Sequence, residues 1–98
     1  MSTLYITELK ATGNSDSGSQ MQVASQPGVT SQKVTFTTTT QSTAFNASTK
    51  FVRLHPKNNC HVVFGTNPTA TTDDMPMLAD SVEYFAVIPG YKLAVVDA

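Results

Sequence analysis

No tryptophan occurs in this 98-residue chain, cysteine occurs once, and only 13% of the residues carry a charge. Each scarcity excludes something. Without Trp the usual platform for stacking on a sugar ring is missing. A lone cysteine, Cys60, cannot close an internal disulfide, and in its apolar setting it reads as a small buried hydrophobe. The basic residues Lys10, Lys33, Lys50, Arg53, Lys57 and Lys92 are scattered and the net charge is −1. That is no footprint for a phosphate backbone, so no nucleic-acid partner is expected. No apolar run approaches the ~20 residues that cross a bilayer, so no membrane partner is expected either. Residues 1–6 lack the basic flank and apolar core of a signal peptide, which implies synthesis and retention in the cytoplasm unless an assembly carries the chain elsewhere. No segment has a helical period, and no glycine-rich phosphate loop is present.

What the chain does have is serine and threonine, about a quarter of its residues. Thr suits a pleated surface through its branched Cβ while its hydroxyl tolerates water. Such hydroxyl-rich surfaces suit proteins that pack into large assemblies or work outside the cell. Residues 51–64 form the organising stretch: Phe51-Val52-Arg53-Leu54-His55, then the turn formers Pro56-Lys57-Asn58-Asn59, then Cys60-His61-Val62-Val63-Phe64. Two β-prone runs around a turn cluster predict a hairpin. With a four-residue loop, Leu54 faces His61 and Val52 faces Val63 on one side, while Phe51 faces Phe64 and Arg53 faces Val62 on the other.

Alternation predicts further strands. Leu4 and Ile6 point one way while Tyr5, Thr7 and Leu9 point the other. Residues 12–19 read as a polar loop, and Met21 and Val23 as the inward side of a weaker strand before a turn at Gln26-Pro27-Gly28. Residues 31–40 read as one longer strand with Val34 and Phe36 on the same face. Its end, Thr37, Thr38, Thr39 and Thr40, is β-prone and uncharged; it is either an open edge that pairs with another chain or a covered partner strand. Phe45 is expected under the link at 41–50. Pro76 confines residues 75–78 to an edge or a bulge. Residues 81–88 read as a strong strand, Pro89-Gly90 as a tight turn, and residues 91–96 as the last strand. About seven to eight short antiparallel strands with frequent turns describe an all-β domain, a β-sandwich or small jelly roll, spanning residues 1–98, with residues 1–30 as an extended N-terminal arm or peripheral strands.

Catalytic and metal constellations fail on geometry. His55, Cys60 and His61 flank the expected turn, but alternation sends His61 to the face opposite Cys60, so the three do not converge on a zinc ion or a thiol nucleophile. Asp73 and Asp74 with Glu83 could supply paired carboxylates, yet nothing defines a cleft around them. Asn14 and Asp16 lack the ligand count of a calcium loop. Arg53, His55 and Lys57 read as a solvated hairpin tip. Neither a cofactor nor a metal is expected, and no enzymatic activity.

The runs Phe51-Val52-Arg53-Leu54-His55, Val63-Phe64-Gly65-Thr66-Asn67-Pro68-Thr69-Ala70-Thr71, Glu83-Tyr84-Phe85 and Ile88-Pro89-Gly90-Tyr91-Lys92-Leu93-Ala94-Val95 resemble small all-β virion structural proteins of tailed bacteriophages. The likeness covers about the second half of the chain and brings no catalytic residue with it. It implies a non-enzymatic capsid cement or decoration protein that binds the major capsid protein, self-associates as a dimer or trimer on the shell and resides on the virion surface. Expected contacts are Leu4, Tyr5 and Ile6 in the arm and Thr37, Thr38, Thr39 and Thr40 at an edge. The rival readings are a tail, baseplate or head-fibre component, and a glycan-binding β-module that stacks sugars on Tyr5, Tyr84 or Tyr91.

Overall fold

The computed structural model describes the backbone of residues 2–14, 20–24 and 26–98, which is all-β with no helix among them. Ten strands follow in order: β1 (Ser2–Leu9), β2 (Thr12–Asn14), β3 (Gln20–Ala24), β4 (Thr30–Phe36), β5 (Thr40–Gln41), β6 (Phe51–Pro56), β7 (Cys60–Gly65), β8 (Met75–Met77), β9 (Glu83–Ala86) and β10 (Lys92–Asp97). Eight of them form two antiparallel four-stranded sheets arranged like a sandwich. The first runs β4-β1-β6-β9 and the second β5-β10-β7-β8, while β2 and β3 pair separately. Part of the expected polar loop at 12–19 is therefore strand β2, and its remainder lies outside the described residues. So does the expected inward placement of the Met21 and Val23 side chains.

Period-two alternation builds the core. Leu4 and Ile6 on β1, Val34 and Phe36 on β4, and Val52 and Leu54 on β6 face Val62 on β7, Met77 on β8 and Leu93 and Val95 on β10. Phe45 fills one end at 2% exposure, as its place under the 41–50 link predicts. Each fully buried Leu or Ile contributes about 1.5–3 kcal/mol by leaving water. Gly28 lets the 26–29 segment close against β1: a Cβ there would meet the Glu8 carbonyl oxygen at 3.0 Å and Leu9 at 3.2 Å. Val29 N–H donates to that same carbonyl at 2.8 Å. This close approach explains why Leu9, whose partner positions face outward, is nevertheless buried.

The expected hairpin at 51–64 does not form. β6 pairs with β1 and β9, whereas β7 pairs with β10 and β8. Residues 57–59 carry the chain from one sheet to the other, so Val52 and Leu54 meet Cys60 and Val62 across the core rather than along a shared edge. Two runs that each own an apolar face bury both faces best by stacking. The Pro89-Gly90 turn behaves alike, joining β9 of the first sheet to β10 of the second, with Gly90 at φ 86°.

Two more expectations are corrected. Residues 2–9 form no arm: β1 is an interior strand, hydrogen-bonded to β4 on one side and β6 on the other. The long strand at 31–40 stops at Phe36, bends, and changes sheet, so that Thr40 pairs with Val95 of β10. Pro76 does sit on an edge strand, opposite His61, as its missing N–H requires.

Candidate functional site

The outer face of the first sheet is organised around β6. Its outward side chains Phe51, Arg53 and His55 alternate with the buried Val52, Leu54 and Pro56. Register places Tyr5 beside His55, Thr7 and Tyr84 on the two sides of Arg53, and Leu9 and Ala86 on the two sides of Phe51. The Tyr5 and His55 rings lie 6.4 Å apart and those of Phe51 and Tyr84 6.3 Å apart, both tilted at 46°. Tyr5 is 44% exposed and Tyr84 55%. Lys33 of β4 stands beyond Tyr5.

Among the described residues no carboxylate pairs with Arg53 or Lys33 on this face. Glu8 and Glu83 occupy the alternate positions of their strands, opposite Val52 and Leu54 respectively. Asp80, at the rim, is bound by the Lys57 ammonium at 3.0 Å and approached by His55 Nε2 at 3.6 Å. The Lys57 hydrogen bond and charge, with a smaller contribution from His55, hold the Asp80 carboxyl below its usual range. Arg53 engages no hydrogen bond or ion pair among the described residues. It is half-buried between Thr7 and Tyr84, a cation with five donors and no acceptor.

Glu8 itself is buried and fully used inside. Its carboxylate accepts from Asn46 N–H at 2.8 Å, Thr49 Oγ1 at 2.7 Å and Gln32 Nε2 at 3.1 Å, tying β1 to β4 and the 43–49 link. A buried carboxylate needs such donors, and here they fix the link rather than any chemistry.

The outer face of the second sheet is covered by its own chain. Gln41 shares that face with its partner Ala94, and its Nε2 donates to Asn67 Oδ1 and to the Pro68 carbonyl, each at 2.9 Å. Ala70 N–H donates to Thr39 Oγ1 at 2.9 Å. These bonds lay the loop at 66–74 over β10, and Ala94, which points away from the core, has 0% exposure. Within the loop, Asp74 accepts from Thr71 N–H at 2.7 Å and Asp73 N–H reaches Thr71 Oγ1 at 3.3 Å, so these acids shape a turn.

Of the contact residues expected from sequence, Leu4 and Ile6 lie in the core at 0% and 1% exposure, and only Tyr5 faces outward. Thr39 accepts from the loop and Thr40 donates to the Thr38 carbonyl at 3.0 Å, leaving Thr37 and Thr38 exposed at the bend between sheets. Of the three tyrosines, Tyr5 and Tyr84 share the first sheet's face. Tyr91 instead lines an open apolar cleft of about 180 Å³ with Phe45, Phe64, Ala86, Val87 and Ile88. Cys60 faces the core while His55 and His61 occupy outer faces of different sheets, so the three diverge. Among the described residues no three His, Cys, Asp or Glu side chains are grouped to hold a metal. Burial, with the Asp97 charge, pushes the Cys60 thiol up to about 11.

Sequence reasoning missed Arg53 as part of this face. The signal was the odd-numbered set Phe51, Arg53 and His55, but its flanking aromatics come from distant strands. Compared with protein-family models, curated proteins and solved structures, the chain matches none.

Proposed function

We propose that this protein is a non-enzymatic structural component of a tailed-phage virion, a cement or decoration protein that binds the major capsid protein on the shell surface. One observation carries the reading: where the exposed aliphatic surface lies. Of six exposed large apolar side chains among the described residues, Met75, Leu78, Val82 and Ile88 fall on or beside the edge strands β8 and β9; the other two are Tyr5 and Tyr84. Leu78 is 70% exposed and Ile88 56%. Aliphatic groups gathered at one edge suit a protein contact that covers them. β9 adds a ladder edge that is unpaired among the described residues, where its one partner is β6. Many weak contacts of this kind, repeated over a shell, hold by avidity. A two-fold or three-fold clustering of copies through the same edge fits this reading.

The same reading takes the sandwich as a jelly roll. Its support is a set of nested pairs, β7 with β8, β6 with β9, β5 with β10 and β4 with β1, which make one long ribbon. Folding that ribbon over itself brings β1 beside β6 and β10 beside β7, the two remaining neighbours. In this ribbon β1 takes the place that would follow β10. The Ser2 hydroxyl donates to Asp97 across that junction.

The test adds purified protein to shells that lack it, followed by sedimentation and cryo-electron microscopy. Regular density at hundreds of shell positions is the expected result, with binding lost in Leu78→Ser/Ile88→Ser while its circular dichroism is unchanged. Copies confined to a tail or baseplate, or no density on the particle, would refute the shell role.

A further inference from the structure

The outer face of the first sheet meets the aliphatic edge at β9 and has a different chemistry. We propose that it binds a linear acidic polysaccharide, with Arg53 taking a carboxylate and Tyr5 and Tyr84 stacking on sugar rings to either side. Strand spacing and rise put the Cα atoms of Tyr5 and Tyr84 about 12 Å apart, on a diagonal that passes over His55 and Arg53. That arrangement suits an extended chain, with alternate sugars on the rings and the acid between them.

Three features select this occupant. The outward positions of the paired strands carry Arg53 and Lys33 and no Asp or Glu, Asp80 at the rim being held by Lys57 and His55, so the middle of the face is locally positive in a chain of net charge −1 and suits an anionic ligand. Arg53 is half-buried between Thr7 and Tyr84 and has no acceptor among the described residues; a carboxylate satisfies its planar fork in two parallel bonds. The outward groups next to it, Tyr5, Thr7, Phe51 and Tyr84, are aromatic or hydroxyl. Tyrosine rings offer a flat apolar surface to the C–H face of a pyranose with a polar tip for its hydroxyls. A protein partner would favour the aliphatic edge instead. A single-stranded nucleic acid also stacks on such rings, but tracking its backbone needs a line of cations, and here two permanent ones stand on separate strands.

Isothermal titration of the full chain against oligosaccharides of polygalacturonate, alginate and hyaluronan tests this, with methyl-esterified galacturonate and oligo-dT as comparators. Binding to at least one acidic oligosaccharide is expected, weakened about tenfold or more by methyl-esterification and by Arg53→Gln, in line with loss of a charged bidentate pair. Arg53→Lys should recover part of that loss. Tyr5→Ser and Tyr84→Ser should each weaken binding several-fold, whereas Leu78→Ser should leave it unchanged. Circular dichroism of each variant confirms the fold. Binding to none of the acidic sugars, equal binding of the methyl ester, tighter binding of oligo-dT, or full affinity in Arg53→Gln would each overturn the proposal. Shell binding and sugar binding use different residues, so either can fail alone.

Discussion

The two sheets of this protein are built alike inside and treated oppositely outside. The second sheet's outer face is sealed by the protein's own loop at 66–74, held by Gln41 and Thr39, so that even an outward Ala94 is dry. The first sheet's outer face is covered by residues 26–29 only at its Leu9 end; elsewhere Tyr5 and Tyr84 stand in solvent around an Arg53 side chain with no partner among the described residues. A chain that spends nine loop residues covering one face (74 − 66 + 1) and leaves aromatic rings bare on the other has divided support from recognition.

Substitutions can break or sharpen this contrast. The largest effect is expected within a single strand, at neighbouring positions of β1. Glu8→Ala should cost about 3 kcal/mol in denaturant unfolding, because three donors lose their buried acceptor. Thr7→Ala, on the outer side beside Gly28, should stay within about 0.5 kcal/mol. Equal costs at the two positions would mean that the bare face is not bare. Next comes Ala94→Lys, expected to cost about 2–3 kcal/mol by forcing a charge under the 66–74 loop, against about 0.5 kcal/mol or less for Thr7→Lys. A harmless lysine at 94 would show that the loop does not seal that face.

Gln41→Ala should cost about 1 kcal/mol through its lost bonds and speed proteolytic cleavage between residues 66 and 74, with no change in cleavage elsewhere. The smallest effect at neutral pH concerns Cys60. Its thiol pKa is raised in the folded protein to about 11, so the neutral thiol favours the folded state. That contribution is fully present below the unfolded value near 9 and is lost as pH rises through about 11. Alkylation by iodoacetamide at pH 8 should therefore be slow in folded protein and fast in urea. Rapid labelling of the native chain would place Cys60 outside the core.

Much of the interior was legible in the sequence. The alternations Leu4/Ile6, Val34/Phe36, Val52/Leu54 and Leu93/Val95 each give an inward face, because side-chain period in a strand is a local property. Pro76 gave its own edge position for the same local reason. Partnership was not legible. Pro56-Lys57-Asn58-Asn59 suits a hairpin loop and a crossing between sheets equally well, and the choice fell to apolar faces that bury each other only when stacked. The threonines at 37–40 carried the same ambiguity: their composition fits an open edge, but Thr39 and Thr40 are engaged within the chain. Asp80 adopts φ 61°, a left-handed turn that Asp tolerates, and so meets Lys57 and His55, which no spacing rule foretold.

The candidate site shows the division most plainly. By itself the sequence determined that the chain folds as strands and which side chains turn inward, since strand propensity and alternation act over a few residues. Only tertiary pairing decided that Tyr5 and Tyr84, from opposite ends of the chain, would flank Arg53 while a loop shut the other sheet away. Register between distant strands depends on how whole faces pack, and no window along the sequence contains that information.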